Sequence, residues 1–189
     1  MPEHALKEWA VTCDALLAGE QVLIVRKGGI GEKKFELPHP RFFLFPTYAH
    51  QRPDLVKREY RDRFGDTLER REEPTALPLA GYAEIAESHP IGDPAALDAI
   101  DHLHILSSSY ARERLRWRPK QPLWAVVLRV WRLDPAPTLA VTDEHAGCVS
   151  WVELPTGFTH PHGSPALDDD SFAGATGAVR DALAIRASS

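Results

Sequence analysis

Two apolar runs, V-L-I-V at 22–25 and F-F-L-F at 42–45, most constrain what this chain can fold into. Short runs of branched and aromatic residues without helical spacing read as strands, and the first of them reads as central or well covered. A third run, L-W-A-V-V-L-R-V-W-R-L at 123–133, is longer and reads as another central strand. Between the first two runs, Gly28, Gly29 and Gly31 break the chain, with Lys33 and Lys34 at the turn. A strand is expected around Phe35–Leu37 and another around Arg41–Phe45. Pro38 and Pro40 restrict ladder pairing, which puts at least one of these at an edge.

Helical signals lie around these strands. Leu6, Trp9, Cys13, Leu16 and Leu17 recur at helical spacing, and Gly19 stands at a stop position, so the pattern predicts an amphipathic helix over 4–18. Pro53 opens a helix whose buried face carries Leu55, Val56, Tyr60, Phe64 and Leu68. Asp93-Pro94 starts a short helix, and one of Ser107, Ser108 or Ser109 starts another that runs to about Trp117. Leu77–Ala86, Leu139–Thr142 and Val149–Leu154 read as further strands. A terminal helix is expected over 171–186. The order gives a single α+β domain over residues 1–155, built on a mixed, partly barrel-like sheet with three or four flanking helices. An acidic, Gly- and Pro-rich tail follows over 156–189.

Composition excludes several classes. Of the residues, 43% are hydrophobic and 26% charged, as in ordinary globular domains. No apolar stretch is long enough to cross a bilayer, and no secretion signal opens the chain. With only Cys13 and Cys148, a disulfide framework is not indicated and a cytoplasmic location is expected. Cys13 reads as a small buried hydrophobe. The net charge of −5 is uneven: residues 104–132 carry 7 Lys/Arg against Glu113 alone. Such an excess draws anionic partners.

The polar residues cluster where strands end. Arg26 and Lys27 adjoin the glycines, and the second apolar run is flanked by Glu36, His39, Arg41, Thr47, His50 and Gln51. Cations beside glycine-rich backbone can approach an anion, although R-K-G-G-I lacks the spacing of a phosphate-binding P-loop. His50 is a candidate general base and Glu36 its candidate partner. The second cluster is Y-A-R-E-R-L-R-W-R-P-K-Q at 110–121. There Trp117 can stack on a base while Arg114 and Lys120 meet phosphates. Ser150 lacks a nucleophile-elbow context. His102 with His104, and His160 with His162, lack further ligands at familiar spacing, so no metal or other cofactor is expected.

Several separated motifs occur in a recognisable order: A-L-K-E-W-A-V at 5–11, L-I-V-R-K-G-G-I at 23–30, F-L-F-P-T-Y-A-H-Q at 43–51, R-L-R-W-R-P-K at 114–120 and G-C-V-S-W-V-E-L at 147–154. Over residues 4–155 the chain resembles the bacterial family called domain of unknown function 1802. That resemblance implies a single-domain bacterial protein and supplies no activity. At the level of fold, the helix, Gly19, the strand ending in Arg26 and the later strand at 123–133 are similar to small PUA-like barrels, including the ASCH group. Those domains bind RNA or modified bases in a cleft. The chain departs from the ASCH pattern at Glu20, where a lysine is expected, and by one residue between Gly19 and Arg26.

The leading functional expectation is nucleic-acid binding, RNA or DNA, with processing as an extension, at a basic cleft. Arg26, Lys27, His50 and Gln51 stand near its centre, with Arg114, Trp117 and Lys120 on backbone or base. Two alternatives stay open. One is a small-molecule or phosphoester enzyme with His50 as base, and the other is a protein-interaction module without catalysis.

Overall fold

The apolar runs do form strands, and alternate residues of those strands feed different cores. The computed structural model describes residues 3–27, 36–117, 121, 123–145, 147, 149–158 and 163–184. In chain order the first half contains β1 (His4–Trp9), α1 (Ala10–Leu17), β2 (Leu23–Arg26), β3 (Arg41–Thr47), α2 (Arg58–Arg61), α3 (Gly65–Glu69) and β4 (Ala76–Pro78). The second half contains β5 (Gly81–Ile91), α4 (Pro94–Ala99), α5 (Ser108–Arg116), β6 (Leu123–Arg132), β7 (Thr138–Ala140), β8 (Trp151–Glu153), β9 (Ser164–Pro165) and α6 (Asp169–Ala182). The main sheet is seven-stranded and mixed, in the order β2-β6-β5-β3-β1-β8, with β9 on β6; β4 and β7 form a separate pair.

The sheet curls without closing. Leu6 of β1, Ile24 of β2, Phe42 and Leu44 of β3, Ala83 of β5 and Val126 and Leu128 of β6 meet in one core. One face of five strands thus points at a common interior, which is what partly barrel-like means here. Cys13 and Leu16 of α1 fill that interior. A register irregularity in β5 between Ile85 and Glu87 is the kind of bulge that bends a strand. On the outside, Ala5, Phe43 and Phe45 pack with Leu77 and Leu139 of the small sheet. Leu23, Val25, Ala125 and Val127 pack on the other side with Leu97, Ala111 and Val179 from α4, α5 and α6. The even alternation explains why β6 reads as continuously apolar: both of its faces are covered.

Helix ends follow local chemistry. Asp93, Ser107 and Asp168 cap α4, α5 and α6 by accepting from Ala96, Tyr110 and Ser171 backbone N–H groups. Gly19, at φ +74°, ends α1, with the Gly19 and Glu20 N–H groups returning to the Leu16 and Ala15 carbonyls.

Four expectations are corrected. Residues 4–9 are a strand, not the start of the helix, because β1 sits between β3 (parallel) and β8 (antiparallel) and its backbone is used on both sides. The helix predicted from Pro53 breaks into a 3-10 turn at Pro53–Leu55, then α2 and α3. Glu36 and Leu37 are outside any strand, and β3 is internal. The strand predicted over Leu77–Ala86 divides into β4 and a long β5 on different sheets.

The buried His104 ring lacks compensation. His104 is 3% exposed, and neither ring nitrogen has a hydrogen-bond partner among the described residues.

Candidate functional site

Where the curled sheet fails to close, the side chain of Arg26 crosses the gap. It extends from the end of β2 to β1, donating from Nη1 to the Lys7 carbonyl at 3.0 Å and to Glu8 Oε2 at 3.1 Å. Its Nη2 donates to Ser150 Oγ at 2.8 Å. Glu8 Oε1 accepts from the Trp9 N–H at 2.8 Å, and Thr47 Oγ1 donates to the Glu8 carbonyl at 3.0 Å. The Arg26 and Glu8 side chains are only 12% and 10% exposed. A pair this buried is held by several hydrogen bonds because Coulomb attraction alone does not repay desolvation.

A cleft of about 670 Å³ opens over this seam. That is within the range of sites that hold small ligands or single units of polymers. One wall carries Trp9, Tyr110 and Arg114, with the Trp9 and Tyr110 rings tilted at 5.0 Å. Lys7, Phe45 and His145 line the cleft as well. Lys7 Nζ donates to the His145 and Gly147 carbonyls and lies 5.5 Å above the Phe45 ring. Glu73 at the rim accepts from the Tyr48 and Ala49 N–H groups at 2.8 and 2.9 Å.

Among the described residues, the cleft's cations are Lys7, Arg26 and Arg114, facing Glu8, Glu73 and Asp143. Lys7 and Arg26 are committed to protein acceptors. Arg114 is different: its guanidinium lies 5.2 Å from the Trp117 ring and 5.9 Å from the Tyr110 ring. Its buried Nε has no hydrogen-bond partner. Burial pushes the Tyr110 hydroxyl pKa up, Arg114 pulls it down, Glu8 raises it and Arg26 lowers it, so all four share one electrostatic environment. Burial also pushes the Cys13 thiol well up, helped by the Glu8 charge, so this cysteine is an inert core residue.

The structure brings Arg26, Thr47, His50 and Arg114 to this one cleft. Lys27 and Gln51 are buried and do not line it. Lys27 is 1% exposed and donates from Nζ to the Leu115 carbonyl at 2.6 Å, near the end of α5. Burial lowers its pKa, and the Arg114 charge lowers it further. Gln51 accepts from the Val11 N–H at 2.8 Å in the first turn of α1 and donates to the Thr67 carbonyl at 3.1 Å. Trp117 is not among the residues lining the cleft, and its ring lies 5.2 Å from the Arg114 guanidinium. Glu36, His39 and Arg41 are not among the residues lining the cleft. The His39 ring stacks on His4 at 3.5 Å and meets Trp151 edge-on at 5.0 Å. The Glu36 carbonyl accepts from Trp151 Nε1 at 3.1 Å, and Arg41 pairs with Glu84 at 3.2 Å on the surface. Lys120 lies outside the described residues.

Lys7, Glu8, Trp9, Tyr110 and His145 line the cleft without having been singled out as site residues. Glu8 and Trp9 fall in the 5–11 motif, whose helical reading concealed that they sit at a strand end. Among the described residues, no group of three or more metal-ligating side chains occurs, and no helix is long and apolar enough to cross a membrane.

A family model described as "Domain of unknown function (DUF1802)" matches residues 5–177, reaching well into α6. No curated protein matches the chain. Among solved structures, the ASCH protein of Zymomonas mobilis is 14% identical, covering 82% of this chain and 89% of that one, with a TM-score of 0.46. Its tyrosine-to-phenylalanine variant is 15% identical, covering 82% and 92%, with a TM-score of 0.45. Its serine-to-alanine variant is 13% identical with the same coverage and a TM-score of 0.46.

Proposed function

We propose, for a chain that belongs to the family described as domain of unknown function DUF1802, that the cleft over the sheet seam binds nucleic acid by taking in one nucleotide of a strand. The observation that carries this reading is Arg114, a guanidinium without a hydrogen bond or ion pair among the described residues, lying 5.9 and 5.2 Å from the Tyr110 and Trp117 rings in the lining of the cleft. A guanidinium in that position answers a phosphate, and Trp9 and Tyr110 offer faces for a base. Arg26, Thr47 and Glu8 form the floor, and His50 stands at the rim, where it can meet sugar or phosphate. Lys27 and Gln51 act indirectly, by fixing α5 and α1.

The test is binding of labelled single-stranded RNA, single-stranded DNA and duplex DNA across a salt series, with Arg114→Ala beside the wild type. Arg114 is the residue to change because Lys27 supports the fold. Each phosphate contact to a single strand contributes about −0.7 to the slope of log affinity against log salt. Salt-dependent binding whose slope becomes shallower by about that amount in Arg114→Ala supports the proposal. Absence of binding at low salt, or an unchanged slope in the variant, refutes it.

A further inference from the structure

This inference rests on the nucleic-acid reading and concerns what the cleft selects. His145 lines the cleft and is 8% exposed. Its Nδ1 accepts the Thr142 backbone N–H at 3.0 Å. A backbone N–H is only a donor, so Nδ1 is an acceptor and the ring proton is on Nε2. Thr142 Oγ1, also at 3.0 Å, then donates to the same Nδ1. The ring stacks on Phe45 with centroids 6.3 Å apart and planes at 28°, and the His145 carbonyl accepts from Lys7 Nζ. Ring and backbone are therefore held on several sides. Nε2 makes no hydrogen bond to a described residue.

A ring more than nine-tenths buried, with its tautomer set and its remaining donor unpaired at a cleft wall, has the arrangement of a group that a ligand completes. We infer that His145 is a specificity-determining residue that offers this single N–H to an oxygen acceptor on the nucleobase. Uracil and guanine present such a keto oxygen. Cytosine and adenine present an amino group at the corresponding place, which sets donor against donor. The contact is to the base because the cleft's uncommitted charge for phosphate is Arg114, whereas one oriented uncharged donor reads a donor–acceptor pattern.

Two substitutions separate the two nitrogens. His145→Asn keeps a side-chain acceptor near Nδ1 for Thr142 and removes the donor at Nε2. His145→Gln places an amide donor near Nε2 and gives up Nδ1. Affinities of both variants and the wild type are measured for labelled uridine and cytidine homopolymers of equal length, with thermal melts to verify folding. The wild type prefers uridine by roughly tenfold, the loss expected when one buried hydrogen bond goes unmade. His145→Asn loses that preference and His145→Gln retains it. If His145→Asn keeps the preference while His145→Gln loses it, His145 only holds the Thr142 turn and the inference falls. If the wild type binds both polymers equally, nucleic-acid binding stands and the role of His145 falls. If it binds neither at low salt, the nucleic-acid reading itself has failed and carries this inference with it.

Discussion

Replacing His104 with leucine should make the protein more resistant to acid. Burial lowers the His104 pKa to about 4, with the Lys57 charge adding to the effect. Lys57 Nζ donates to the His104 carbonyl at 2.7 Å and to that of Asp101, and it pairs with Asp101 Oδ2 at 3.4 Å, so a cation already occupies this corner. A contact with the Leu106 backbone favours the charged ring but lacks hydrogen-bond geometry. The unfolded chain binds the proton near pH 6.5 and the folded chain only near pH 4. Stability is therefore undiminished above pH 6.5, falls as pH drops through that window, and the loss is complete below pH 4. The gap of about 2.5 pKa units corresponds to about 3.4 kcal/mol in full, of which about 2 kcal/mol is lost by pH 5. Surface carboxylates titrate in both proteins, so the difference between wild type and His104→Leu isolates the histidine. Denaturant melts at pH 7, 6 and 5 measure it. The variant should gain about 2 kcal/mol on the wild type between pH 7 and pH 5. Parallel pH profiles would show that the site is wet or that the ring finds a partner, and the reasoning would be wrong.

Three other outcomes are expected. Changing Glu8 to leucine leaves the buried Arg26 charge without its carboxylate and should cost roughly 3–5 kcal/mol in denaturant melts, whereas Glu8→Leu/Arg26→Met should recover most of that loss; a double variant no better than the single one contradicts this. Gly19→Ala forces a side chain into φ +74°, with its Cβ 2.7 Å from Leu167 Cδ2, and should cost at least about 1–2 kcal/mol by thermal melting. Phe42 is fully buried on the inner face of the curled sheet, so Phe42→Ala should cost about 3–5 kcal/mol, and a loss under about 1 kcal/mol would place that core elsewhere.

The legible parts of this fold are those decided locally. Asp93, Ser107 and Asp168 announce their helices because a capping side chain bonds within its own turn. β6 is legible because burial on both faces leaves an apolar run. His4–Trp9 is misread because Leu6, Trp9 and Cys13 happen to continue the spacing of α1, and only partners at Phe43–Thr47 and Trp151–Glu153 make the segment a strand. The site divides similarly. Arg26 and Lys27 are neighbours with the same composition signal, yet one crosses the seam and the other is buried under α5. Neighbouring side chains in extended backbone point in opposite directions, and which direction faces a cleft depends on distant strands. Arg114 stands out because few acids lie near it in sequence. His145 does not, because its significance comes from the Thr142 turn and from a wall built by β1 and β3.

The central place of β1 sets a schedule for how this protein can form. Its two neighbours are Arg41–Thr47 and Trp151–Glu153, so one edge stays unpaired until the chain beyond residue 150 exists. At ordinary synthesis rates of about 5–20 residues per second, that wait is roughly 7–30 seconds. For that interval Ala5 and Leu6 have no complete sheet to enter. Val179 of α6, also buried in the core, arrives later still. A product stalled or shortened before residue 150 exposes the very strand edge that β8 covers.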